Sequence, residues 1–237
     1  MLKCIAIIPA RGGSKRIPKK NIKEFHGKPL IAYSIEVALK SKLFEKIIVS
    51  TDDELIAKVA LKCGAEIPFI RPKELSDDFT GTGAVVEHAI KYLKEQGEEY
   101  DFCCTIYATA PLLQEKYLME GFEKLKNSDA HQVFCATIMP SAIQRSFKIN
   151  ENGRCEMFWR DNFYKRSQDL EEAYYDAGQF YWENLKNNFT DIPYGRDSIP
   201  LVIPSIFVQD IDTFEDWDKA EILYELIKKL KKDFNAF

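Results

Sequence analysis

Ile7-Ile8-Pro9-Ala10-Arg11-Gly12-Gly13-Ser14-Lys15-Arg16-Ile17-Pro18-Lys19-Lys20-Asn21 joins an apolar run to a loop of two glycines and five cations, and no acid precedes Glu24. The whole chain has a net charge of −4, so this positive charge is local and calls for a local anion. Adjacent glycines let backbone N–H groups approach a phosphate with no Cβ in the way, and lysines and arginines neutralise what is bound. The loop occupies the first strand-to-helix turn, where open α/β sheets bind ligands. It fits neither the P-loop pattern nor the dinucleotide fingerprint. It reads as a triphosphate loop of another kind. The alternative is a solvated basic loop that closes a strand.

Outward from this loop, strand-like and helix-like patterns alternate. Strands are expected over 4–9, 46–50, 66–70, 102–107 and 132–139, and helices over 29–40, 53–63, 82–94 and 114–126. That rhythm predicts an α/β fold, an open, mostly parallel sheet flanked by helices on both faces. After Met139 the rhythm breaks. Residues 142–149 and 154–159 flank the turn Asn150-Glu151-Asn152-Gly153, and an aromatic-rich stretch follows to Tyr175. Such an excursion cannot bury its own apolar surface, so an arm at about 140–175 is expected to pack on a second subunit or to fold back on its own sheet. Strands at 175–182 and 206–211 and a closing helix at 214–230 complete one domain spanning 1–237.

Composition excludes several classes. The acidic balance disfavours a general nucleic-acid binder, and no apolar run is long enough for a membrane span. Six cysteines without C-x-x-C spacing suggest reduced thiols in a cytoplasmic protein, and three scattered histidines argue against a zinc site.

Asp210-Ile211-Asp212 is the second informative stretch. On a strand, both carboxylates would share a face while Ile211 points inward. Two like charges ~4 Å apart repel by about 4 kcal/mol at an effective dielectric near 20, and a divalent cation reverses that sign. Alternatively Asp212 or Thr213 caps the final helix, with Asp216 completing a capping box; a cap at Thr213 leaves both aspartates free. Tyr107-Ala108-Thr109-Ala110-Pro111 ends a strand, either at the ligand edge or as an ordinary turn. Singly, Arg71 reads as a surface salt-bridge partner and Thr82 as an N-cap.

Taken together and in order, I-P-A-R-G-G-S-K-R-I-P-K-K-N (Ile8 to Asn21), I-V-S-T-D (Ile48 to Asp52), R-P-x-E-L (Arg71 to Leu75), A-T-A-P (Ala108 to Pro111) and D-I-D-T (Asp210 to Thr213) resemble the CMP-sialic acid synthetase family of cytidylyltransferases. Y-A-T-A-P, K-R-S-Q-D-L (Lys165 to Leu170) and Y-D-A-G-Q-F-Y-W (Tyr175 to Trp182) look like its pseudaminic acid branch. The resemblance implies a Rossmann-like nucleotidyltransferase fold and a swapped-arm homodimer. It also implies CTP and a nonulosonic acid as substrates, and a requirement for Mg²⁺. It assigns Ala10, Arg11, Gly12, Gly13, Ser14, Lys15, Lys20 and Asn21 to the triphosphate and Arg71 and Thr82 to cytosine. It assigns Asp210 and Asp212 to the metal, with Arg11, Lys20 and Asp212 as the catalytic set. Tyr107, Thr109, Gln179 and Phe180 fall to the sugar, with Arg166 offered to the neighbouring subunit's site. Sialic acid enzymes carry glutamine before P-T-S-P, where this chain has Tyr107. A ring there replaces amide hydrogen bonding by apolar contact, which suits a sugar acid with a deoxy tail better than N-acetylneuraminate; core packing is the other reading. No residue identifies itself as a separate general base. A nucleotide-sugar glycosyltransferase also carries D-x-D, but mid-sheet and without a triphosphate loop. A non-catalytic nucleotide sensor is the other rival.

Overall fold

The computed structural model describes residues 2–186 and 194–234, with side chains to 232. In chain order the elements are β1 (Cys4–Pro9), β2 (Glu24–Phe25), β3 (Lys28–Pro29), α1 (Leu30–Ser41), β4 (Lys46–Ser50), α2 (Glu54–Lys62), α3 (Thr82–Glu95), β5 (Phe102–Ile106), α4 (Glu115–Lys126), β6 (Gln132–Ile138), β7 (Phe147–Ile149), β8 (Cys155–Met157), β9 (Tyr174–Asn184), β10 (Ser198–Val202) and α5 (Phe214–Phe234). A six-stranded sheet runs β10-β6-β9-β5-β1-β4. β9 is antiparallel to both of its neighbours, and every other pairing in the sheet is parallel.

The alternation of β1 explains the layering. Cys4, Ala6 and Ile8 join a cluster with α1, α2 and α4, while Ile5 and Ile7 join another with Val86, Ala89 and Leu93 of α3. A strand buried on both faces reads as an unbroken apolar run, as this one does. Among the described residues no disulfide forms, and Cys4, Cys103, Cys104 and Cys135 are buried. Burial pushes the Cys103 and Cys104 thiols well above their usual pKa. No described helix is long and apolar enough to cross a membrane.

Gly121 sits where α4 crosses β9. A Cβ there would lie 2.8 Å from Phe180 Cε2 and 3.1 Å from Trp182 Cδ1. Gly121→Val is therefore expected to destabilise the chain by about 1–3 kcal/mol through overpacking, read as a lowered melting temperature.

Three strand expectations differ from the structure. The segment 66–70 makes only a bridge between Ile48 and Glu66, because Pro68 has no N–H to continue a ladder. The segment 206–211 is no strand: Phe207 and Val208 N–H bond back to Pro204 and Ser205 in a 3-10 turn. The strand beside β6 is instead β10, whose Pro200 is tolerated because the strand lies at the sheet edge. Finally, the arm pairs over only 147–149 and 155–157. Its aromatics stay uncovered by their own chain, Tyr164 at 92% and Trp159 at 47% exposure.

Candidate active site

Ile17 and Ile211 are both fully buried, in one cluster with Phe25, Leu30, Tyr33, Trp217 and Ala220. This apolar staple brings the amino-terminal basic loop against the Asp210-Ile211-Asp212 segment. Lys20 Nζ donates to the Ile211 carbonyl at 2.5 Å and lies 3.3 Å from Asp212 Oδ1. Arg16 reaches Asp212 Oδ2 at 2.9 Å. Inside the loop, Lys19 adopts φ 54 and the Asn21 amide donates to the Arg11 carbonyl at 3.0 Å, closing the curve.

The result is a cleft of about 250 Å³. Arg11, Ser14, Lys15, Lys20 and Asn21 line it together with Arg71, Thr82, Tyr107, Thr109 and Asp212. The structure thus brings the basic loop and Asp212 into one cavity. Asp210 faces an adjoining cavity of about 270 Å³ that shares Asp212 with the first. Burial first, then the neighbouring Asp212 charge, raises the Asp210 pKa. Two mutually repelling carboxylates are a hard-oxygen donor pair that fits Mg²⁺ when substrate phosphates supply further ligands. Among the described residues no group of three or more His, Cys, Asp or Glu could hold a metal ion, so these two would be the protein's share. Thr213 and Asp216 form the expected capping box on α5, leaving both aspartates outside it.

Arg71 is no surface residue. It is 5% exposed, its Nε donates to Ser50 Oγ at 3.1 Å, and it also donates to the Ser50 carbonyl. Desolvation lowers its pKa, opposed by Asp52. The N-cap of α3 falls on Gly81 rather than Thr82, and Thr82, the first residue of the helix, lines the cleft.

The other expected site residues are held in different ways. The Ala10 side chain is 1% exposed in the core and its N–H bonds to Ser50, so it cannot meet a phosphate. Gly12 N–H is taken by Asp52 Oδ1 at 2.9 Å. The glycine is needed there because a Cβ would lie 2.9 Å from the Asp53 side chain that caps α2. Gly13 is exposed, with open space where a Cβ would go. Gln179 (2% exposed) donates to the Phe207 carbonyl, and Phe180 (0%) packs into the core under α4; neither lines the nucleotide cleft or the cavity of Asp210. Arg166 lies in the arm, paired with Asp169 at 2.6 Å and away from its own chain's cleft.

Sequence reasoning missed Asp78. Its carboxylate bridges Arg11 Nη1, at 2.6 Å, and Lys15. Those hydrogen bonds, Lys15 first, hold its pKa below the usual carboxylate value. An anion seated between two loop cations competes with any bound polyphosphate. Asp78→Asn is therefore expected to lower the KM for nucleotide, by at most about fivefold because exposed ion pairs are weak. Steady-state kinetics with nucleotide as the varied substrate would check it; an unchanged or raised KM would count against the competition.

Comparison with known proteins bears on this geometry. The family model described as Cytidylyltransferase matches residues 5–236. A pseudaminic acid cytidylyltransferase of Campylobacter jejuni is 48% identical over 95% of this chain and 97% of its own length. A CMP-N,N'-diacetyllegionaminic acid synthase of Legionella pneumophila is 30% identical over 95% of this chain and 97% of its own. The solved structure of a CMP:2-keto-3-deoxy-manno-octonic acid synthetase superposes with a TM-score of 0.67 at 17% identity, covering 95% of this chain and 99% of that one, and shares the fold. With a family model that matches nearly the full chain and a cytidylyltransferase 48% identical to it, this chain belongs to the cytidylyltransferase family.

Proposed function

We propose that this enzyme joins CMP from CTP to the anomeric hydroxyl of a nonulosonic acid, pseudaminic acid foremost, and releases pyrophosphate. The observation that carries it is the meeting of Asp212 with Arg16 and Lys20 at the mouth of the same cleft that Arg11, Ser14 and Lys15 line. The relative at 48% identity, named for pseudaminic acid, supports the choice of sugar. So does the ring of Tyr107 on the wall beside Thr109, where an apolar face suits a deoxy tail. The legionaminic acid synthase at 30% identity supports a second reading, another acid of the same class.

In this reading Arg11, Lys15 and Lys20 hold the β- and γ-phosphates, so charge that builds on the departing pyrophosphate meets preplaced cations. The buried Arg71 guanidinium and the Thr82 hydroxyl read the cytosine. Asp210 and Asp212 would hold Mg²⁺, which supplies charge neutralisation at the phosphates and a lowered pKa for a bound hydroxyl. The exposed aromatics of the arm fit a homodimer in which Arg166 completes the neighbouring site, and the reduced thiols fit a cytoplasmic enzyme.

A panel of pseudaminic, legionaminic, N-acetylneuraminic and 3-deoxy-octulosonic acids, each with CTP and Mg²⁺ and read by pyrophosphate release, tests the assignment. Pseudaminic acid is expected to give the highest kcat/KM. Preference for another acid of the panel would replace the substrate, and no pyrophosphate with any of them would remove the activity.

A further inference from the structure

Tyr107 walls a second cavity besides the nucleotide cleft. This larger groove, about 930 Å³, also takes in Thr105, Tyr181 and Glu183 from β5 and β9. The Tyr107 and Tyr181 rings meet at 5.3 Å, inclined by 46°. Tyr107 itself is anchored through its backbone, its N–H on the Gln179 carbonyl at 2.8 Å and its own carbonyl accepting from Ser34 Oγ at 2.7 Å. Behind the two rings stands Asp176. Its Oδ2 accepts the Tyr181 hydroxyl at 2.5 Å and the Tyr194 hydroxyl at 2.7 Å, while Oδ1 accepts Gly178 N–H at 2.9 Å.

Residues five apart on an unbroken strand face opposite sides of the sheet. Asp176 and Tyr181 meet because β9 bulges. Its pairing with β6 passes from Phe134↔Tyr181 to Ala136↔Asp176, so residues 177–180 stand opposite Cys135 alone. Gly178, at φ 61, makes the turn that allows this. Gln179, inside the bulge, is buried, and Phe180, in register with Ile106, packs into the core with Trp182.

The direction of the hydrogen bonds follows from the donor inventory. A carboxylate only accepts and a phenol has one proton, so Tyr181 donates to Asp176 and its oxygen is left to accept. The Tyr107 ring, in contact with that of Tyr181, brings the neighbouring phenol that can donate there. Burial, then the charges of Tyr107 and Asp176, push the Tyr181 pKa far above its ordinary value, so the phenol keeps its proton. A Tyr107 proton turned toward Tyr181 would leave only lone pairs for a ligand.

We infer that Asp176 is a positioning residue for sugar-acid recognition: acting through Tyr181, it fixes the Tyr107 hydroxyl as a hydrogen-bond acceptor that selects a donor on the ligand, such as the N–H of an acylamino group. This rests on the reading of Tyr107 as a wall of the sugar site, and the experiment separates the two.

KM for pseudaminic acid and for CTP would be measured for Asp176→Asn, Tyr107→Phe and the double variant. Gly178 N–H must keep an acceptor, so in Asp176→Asn the new amide nitrogen would face the phenols, donate to Tyr181 and reverse the chain of protons. The expected result for each single variant is a KM for the sugar acid raised about three- to tenfold, with that for CTP unchanged. The double variant should be no worse than Tyr107→Phe alone. Should Asp176→Asn fail to fold, Tyr181→Phe keeps the ring, removes the relay and should give the same split. An unchanged sugar-acid KM in the Asp176 and Tyr181 variants beside a raised one in Tyr107→Phe overturns the positioning role and leaves the Tyr107 reading standing. Equal rises for both substrates, or effects that multiply in the double variant, also overturn it. No change in Tyr107→Phe itself removes the underlying reading and this inference with it.

Discussion

Replacing Asp212 with alanine is expected to cut pyrophosphate release by at least about a hundredfold while the protein still melts near the wild-type temperature. The carboxylate is the one group shared by the nucleotide cleft and the cavity that holds Asp210. It also faces Arg16 at 2.9 Å and Lys20 at 3.3 Å, so it sets both the charge and the aim of two cations. Its side chain is 39% exposed, and Arg16 is more open still at 65%. Arg16 thus stays in solvent and Lys20, though only 17% exposed, keeps the Ile211 carbonyl, so the cost to the fold is small. Thermal melts beside a pyrophosphate assay check both halves. Turnover near the wild-type rate in the presence of Mg²⁺ would exclude a metal-holding role.

Lys20→Ala should lower kcat/KM by about a hundredfold or more, the scale seen when one preplaced charge is taken from a developing anion. Lys20 is the least exposed of the loop's ion-paired cations, at 17%, and its ammonium is aimed by the Ile211 carbonyl. A partly desolvated charge interacts more strongly than one in water. Lys20→Arg should recover little, because a planar fork cannot replace a compact ammonium held at that carbonyl. Kinetics with each substrate varied in turn check this: the loss should fall on kcat and on CTP, with the sugar-acid KM near its wild-type value. A loss confined to the sugar-acid KM would move Lys20 out of the phosphate site.

Much of this was legible in the residues. The unbroken apolar run of β1 and the Asp53 cap of α2 are local signals, and they place the basic loop at the sheet's ligand edge. Ile211 pointing inward between two aspartates was legible as well, although the strand expected to carry it does not form. A strand needs a partner, and no local pattern shows that β10 already occupies the place beside β6. The same blindness hid the β9 bulge. Y-D-A-G-Q-F-Y-W passes for a plain strand, and the resemblance alone put Gln179 and Phe180 at the sugar, whereas both are buried in the core. Asp78 escaped because its role depends on Arg11 and Lys15, more than sixty residues away in the chain.

The insertion of β9 between β5 and β6 bears on how the chain is made. β6 pairs only with β9 and β10, both of which follow it in sequence. A ribosome that has delivered everything up to the arm has therefore produced β6 with no ladder at all and β5 with one open edge. Bare edges of this kind invite pairing between chains. Sheet closure must wait for the last third of the polypeptide, and the long excursion between β6 and β9 adds a large loop to close. The strand that carries the Asp176 bulge is thus also the keystone of assembly, and recognition chemistry and completion of the fold arrive in the same stretch of chain.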